Sequence, residues 1–169
     1  MVANAAIVPA GAGGGINLYA SDTTDLLFDT NGYFGALSGS GLKFYPVTPC
    51  RVADTRQAAG FGGPFGPPSM FAQSARSFPV GSSSCGIPGS AVAYSLNVTA
   101  QLPATGILGV LTIWPAGQVQ PNASTLNSYV PGSVVSNAAI VPAAPDGQIR
   151  VYVSDFADVV IDVNGYFAP

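Results

Sequence analysis

The sequence predicts an all-β protein, a jelly-roll-like β-sandwich with an extra β segment at the N-terminus that duplicates its C-terminal part. Three observations carry that reading. Short runs of alternating apolar and β-branched residues are separated by Gly/Pro turns along the chain. The 169 residues include 21 Gly and 15 Pro but no Glu and only one Lys, so long helices are disfavoured while strands are favoured. The third observation is a repeat. Residues 2–34, VANAAIVPAGAGGGINLYASDTTDLLFDTNGYF, return at 135–167 as VSNAAIVPAAPDGQIRVYVSDFADVVIDVNGYF. The copies align without a gap at an offset of about 133 residues, with a little over half the positions identical.

Taken in order, the first copy predicts strands at 4–8, 16–20 and 26–34, with turn signals at 11–15 and at Asn31-Gly32. The chain divides into a partial repeat at 1–35, a linker at 36–43 and a complete unit at 44–169. The Gly/Ser-rich stretch 35–43 reaches at most about 30 Å when extended. From residue 43 onward, strands are predicted at 43–46, 76–80, 91–100, 109–114, 124–129, 134–141, 149–153 and 159–167. A fainter echo relates 95–99 and 111–114 to 137–141 and 149–152, and predicts two hairpins facing each other across a core. Between the first strands of the unit, the Gly/Pro segment 57–75 carries Phe61, Phe65, Met70 and Phe71. Long loops of this kind are functional or disordered; these aromatics either pin the loop to its own domain or face a partner.

Cys50 and Cys85 each sit beside a turn signal. As a disulfide they close a loop of about 35 residues, worth roughly 3 to 4 kcal/mol, and imply an oxidising compartment. The alternative is two small unpaired core residues.

Charge excludes several classes of function. Only 8% of residues are charged and the net charge is −3, so no basic patch serves nucleic acid. No apolar run reaches the ~18 to 20 residues of a membrane helix. The N-terminus lacks the charged region of a signal peptide, and its first residues already belong to the repeat, as in a mature form or a slice of a longer tandem protein. The absence of His removes Ser-His-Asp and Cys-His catalysis and His-based zinc sites. No catalytic residues and no cofactor are expected.

The aspartates recur with the repeat: Asp22, Asp25 and Asp29 as Asp155, Asp158 and Asp162. Asp29 with Asn31, and Asp162 with Asn164, are weak calcium candidates through their oxygens. The competing reading is turn chemistry, in which Asp and Asn side chains bond nearby backbone. The cluster Arg51, Asp54, Arg56 predicts a structural ion pair in which Asp54 joins either arginine. Simple alternation puts Arg51 and Asp54 on opposite faces of an extended strand. Trp114, Tyr19, Tyr129 and Tyr152 are either sugar-stacking platforms or ordinary β aromatics.

The strings TPCRVADTR, CGIP, SLNVTA, LTIWPAGQ, STLNS, NAAIVPA and DVNGYF resemble a tandem β-rich module of secreted and cell-surface proteins of Acidobacteria, with a looser actinobacterial cousin. The resemblance spans Tyr45 to Pro169, and the N-terminal piece matches only the module's tail. It implies an extracellular or bacterial cell-surface setting, several copies in tandem, a β-sandwich and no catalytic role.

A partial β unit cannot bury its own apolar face. The sequence therefore predicts a structural protein that associates with copies of itself by β-strand pairing, as a filament or surface-layer subunit. The contact residues are expected among Asn4, Ile7, Val8, Ile16, Leu18, Tyr19, Leu26 and Phe28. The alternative is a carbohydrate-binding or adhesion module contacting surface glycans.

Overall fold

A computed structural model describes residues 4–30, 32–35 and 41–169. Its eight strands are β1 (Lys43–Asp54), β2 (Ser74–Phe78), β3 (Ala93–Gln101), β4 (Leu108–Pro115), β5 (Leu126–Ser128), β6 (Val134–Pro142), β7 (Ile149–Val153) and β8 (Asp158–Ala168). They form two antiparallel sheets with orders β1-β8-β3-β6 and β2-β7-β4-β5. This is a jelly roll, a ribbon in which first pairs with last, second with seventh, third with sixth and fourth with fifth. Rolling the ribbon adds the pairs β3–β8 and β4–β7.

Period-two alternation supplies the core between the sheets. Along β3, Tyr94, Leu96, Val98 and Ala100 are buried while the residues between them are half-buried. They meet Phe78, Leu108, Leu111, Ile149 and Val151 of the facing sheet. Where Gly165 lies on β8, a Cβ would meet the tip of the Phe44 ring of β1, so any larger residue there makes that ring shift.

Most of the unit's strands lie within two or three residues of the expected spans, and β7 matches its span. β1 is much longer than the 43–46 expected. Its prolines, Pro46 and Pro49, occupy an edge strand, where a missing N–H is tolerated. The ladder is broken between Pro46 and Cys50 and again between Arg51 and Ala53.

Two expectations are corrected. The predicted facing hairpins do not form: β3 and β4 lie in different sheets, as do β6 and β7. Each of those connections crosses from one sheet to the other, and the echoed strands pair with each other instead, β3 with β6 and β4 with β7. The strands expected at 4–8, 16–20 and 26–34 are absent among the described residues, for a reason given by the pairing pattern below.

The disulfide Cys50–Cys85 ties edge strand β1 to the turn after Val80, with 5.7 Å between the Cα atoms. The loop it encloses is pinned to its own domain. Met70 is buried and exchanges backbone hydrogen bonds with Ala157, and Phe65 packs partly buried against the core. The Arg76 guanidinium donates to the carbonyls of Pro68 and Gly63 at 3.0 and 3.1 Å. Phe71 remains exposed, edge-on to Phe156.

Reducing the disulfide should destabilise the protein by about 3 to 4 kcal/mol. Urea unfolding followed by circular dichroism, with and without reductant, measures it; an unchanged midpoint would mean the loop is held without the bond.

Candidate self-association segment

In this jelly roll no two of β6, β7 and β8 pair with one another. β6 pairs with β3, β7 with β2 and β4, and β8 with β1 and β3. The repeated segment covers β6, β7 and β8, so by itself it holds strands whose partners all lie in the β1–β5 half (Lys43–Ser128). This explains why the N-terminal copy has β-forming sequence but no strand among its described residues. Unpaired backbone in an isolated copy gains nothing from being extended.

Local structure forms nonetheless. The Ala144 N–H donates to the Gln148 carbonyl and the Gly147 N–H to the Ala144 carbonyl. At the same positions of the N-terminal copy, Gly11 donates to Gly15 and Gly14 to Gly11, at 2.8 and 3.0 Å. Gly14 and Gly147 share a left-handed backbone, with φ of 79° and 74°, which glycine adopts without steric cost. The hydroxyls of Ser21 and Ser154 also donate alike to the neighbouring carboxylates of Asp22 and Asp155.

The residues expected to mediate association are all exposed. Among the large ones exposure runs from 49% at Leu18 to 89% at Tyr19, and Asn4 is exposed as well. Leu27 and Phe34 extend the same apolar surface. The copy touches the sandwich near both ends: the Ala5 N–H donates to Asn137 Oδ1 on edge strand β6 at 2.8 Å, and the Phe34 ring lies 6.1 Å from that of Phe167.

The aspartates of the C-terminal copy hold the two halves of the sandwich together. Asp162 accepts from Arg51 Nε at 2.9 Å, and Asp158 accepts from the Thr55 hydroxyl at 3.0 Å. Asp155 accepts from the Gly109 N–H and Ser154 Oγ from the Val110 N–H, both at 2.8 Å. Asn137 Nδ2 donates to the Thr125 carbonyl at 2.7 Å. Each bond joins the β6–β8 half to the β1–β5 half or its connections. The signal for this role was in the sequence, since these side chains recur unchanged in both copies.

Beside Asp162 lies the ion-pair cluster. Asp54 is fully buried and binds both arginines, Arg51 at 3.2 Å and Arg56 at 2.5 Å. The ladder break between Arg51 and Ala53 brings Arg51 and Asp54 together, which simple alternation would not. The Arg56 side-chain hydrogen bonds, more than offsetting burial, hold the Asp54 carboxyl below its ordinary range. The hydrogen bond to Asp162, opposed by desolvation, raises Arg51. The Ser154 hydroxyl and the Gly109 N–H lower Asp155.

The calcium candidates fare differently. Asp162 is engaged by Arg51, Asn164 and Asp29 are exposed, and Asn31 lies outside the described residues. Among the described residues no group of three or more His, Cys, Asp or Glu is placed to hold a metal ion. Trp114 is buried and its Nε1 donates to the Gln118 carbonyl, which leaves its face unavailable for stacking on a sugar. Tyr129 and Tyr19 are exposed, and Tyr152 is half-buried. No helix of the described residues is long and apolar enough to cross a membrane. Compared with known proteins, the chain matches no protein-family model and none of the curated proteins.

Arg56→Ala should cost about 1 to 3 kcal/mol, because it strips a buried carboxylate of its closest donors. Urea midpoints of the two proteins test this. Stability should also fall in acid. Asp54 and Asp155 titrate below their ordinary value when folded, so the unfolded chain takes up protons first. Their contribution is complete above about pH 4 and drains away as the pH drops through the folded values. Melting temperatures between neutral pH and about pH 2 should follow that course.

Proposed function

We propose that this is a non-enzymatic structural protein that works outside the cell, associating with copies of itself through its N-terminal segment. The observation that carries the reading is that 4–34 is built as part of a sandwich and lies with its apolar side chains in solvent. Its association mode is β-strand addition at an exposed sheet edge. One such edge is β6, whose Asn137 side chain Ala5 already reaches within one chain. When such contacts are made head to tail without closing, the product is a filament.

Composition supports the same reading. With 8% charged residues and a net charge of −3, little repulsion opposes contact between copies. The disulfide suits an oxidising, extracellular setting, as does the resemblance to secreted tandem modules. The sandwich from Lys43 to Ala168 has its own core and both its sheets, so removing the N-terminal segment leaves the fold intact.

The test is light scattering with negative-stain microscopy on the full chain beside a version starting at Gly41. Oligomers or filaments from the full chain and monomers from the shortened one are expected. Monomers from both would overturn the proposal.

A further inference from the structure

We infer that residues 4–34 are a second closing segment for the chain's own sandwich, able to take the place of β6–β8 on the β1–β5 half. This concerns which segment completes the fold, and it holds whether or not chains associate.

The argument is that the N-terminal copy keeps the side chains that grip the β1–β5 half. Six polar side chains of the C-terminal copy bond across to it, and five of them are Asn137, Ser154, Asp155, Asp158 and Asp162. Their counterparts are Asn4, Ser21, Asp22, Asp25 and Asp29, identical in every case. The sixth, Ser136, shares a surface hydrogen bond with the Thr99 hydroxyl, and Ala3 replaces that serine. The ring contacts also recur. Tyr166 stacks on Tyr45 at 5.2 Å and Phe167 meets Phe44 at 5.1 Å, and their counterparts are Tyr33 and Phe34. Gly32 stands for Gly165, so the position beside the Phe44 ring is glycine in both copies.

Most core positions stay apolar, but buried Ala157 and Val163 correspond to Thr24 and Thr30, and Val153 to the smaller Ala20. Buried Val159, Val160 and Ile161 correspond to Leu26, Leu27 and Phe28, and Ile149 and Val151 to Ile16 and Leu18. Some differences, such as Arg150 against Asn17 and Phe156 against Thr23, fall at exposed positions of the sandwich.

The connection is short enough for closure within one chain. In the sandwich Lys43 lies opposite Ala168 and Phe44 opposite Phe167. In the exchanged form Gly35 takes the place of Ala168, and 36–42 has only to turn the chain back into β1, the reach of a hairpin loop. A tether of that length gives an effective concentration in the millimolar range, which favours closure within the chain over capture by a neighbour. The exchange frees β6–β8 at the other end of the chain, since one β1–β5 half accepts one closing segment.

The test uses the full chain at dilute concentration. Val159→Asp with Ile161→Asp places two carboxylates in the fully buried face of β8. If residues 4–34 close the sandwich, this variant keeps a cooperative melt and remains a monomer by light scattering. Hydrogen exchange should then show protection moved from 159–161 to 26–28. Adding Leu26→Asp and Phe28→Asp should abolish the fold, while those two changes alone should leave the melt unchanged. The inference is overturned if the β8 variant unfolds, if it folds only as an oligomer, or if the fourfold variant folds equally well. None of these outcomes decides whether the unmodified chain forms filaments.

Discussion

A strand must have its backbone amides and carbonyls met by another strand, and in this jelly roll every partner of β6, β7 and β8 lies in the β1–β5 half. The core, the latch of aspartates and the state of the N-terminal copy all follow from that division. Each half alone is an unfinished surface. Together they bury Leu96, Leu108, Ile149 and Ile161 completely. A second β6–β8 segment without a free β1–β5 half therefore keeps its turn and leaves its apolar residues in water.

The polar contacts carry more of the specificity than their number suggests. A jelly roll has several ladders that a one-residue slip would satisfy as well in backbone terms. Arg51 meeting Asp162, Thr55 meeting Asp158 and Gly109 meeting Asp155 are satisfied together in only one register. Asp54 supports this from below, since it is buried, ionised and held by two arginines, one of which also holds Asp162. A slipped β8 would leave that charge network half-paired in a low-dielectric setting.

What was legible in the sequence was local. Alternation with Gly/Pro punctuation located the strands of the complete unit, because those signals depend only on neighbouring residues. The cysteines beside turns announced the disulfide, and the Arg51, Asp54 and Arg56 cluster announced an ion pair. What was hidden is non-local. The strands expected at 4–8, 16–20 and 26–34 have strand sequence but no partner, and no periodicity records whether a partner exists. Pro46, Pro49 and two ladder breaks concealed the length of β1. The crossing of β3 to β4 and of β6 to β7 was mistaken for hairpins because the turn residues look alike in both cases. The aspartates suit calcium or turn chemistry by residue type alone, and their recurrence in both copies points instead to a contact repeated with them.

The disulfide has a mechanical consequence. β1 begins and β8 ends at one corner of the sandwich, with Lys43 beside Ala168. Tension applied there opens the pair like a zip, one rung at a time, rather than shearing it. β1 is the weaker side, being an edge strand with a single neighbour, and its ladder already lapses after Pro46. The tear then reaches Cys50 and stops, because force passes through sulfur to Cys85 and bypasses everything between them. Arg51, Asp54, Arg56 and the pinned loop are thus spared the load. Further extension has to draw out β8, which is gripped by ladders on both sides. A covalent stop thus sits a few residues into the strand that would give way first.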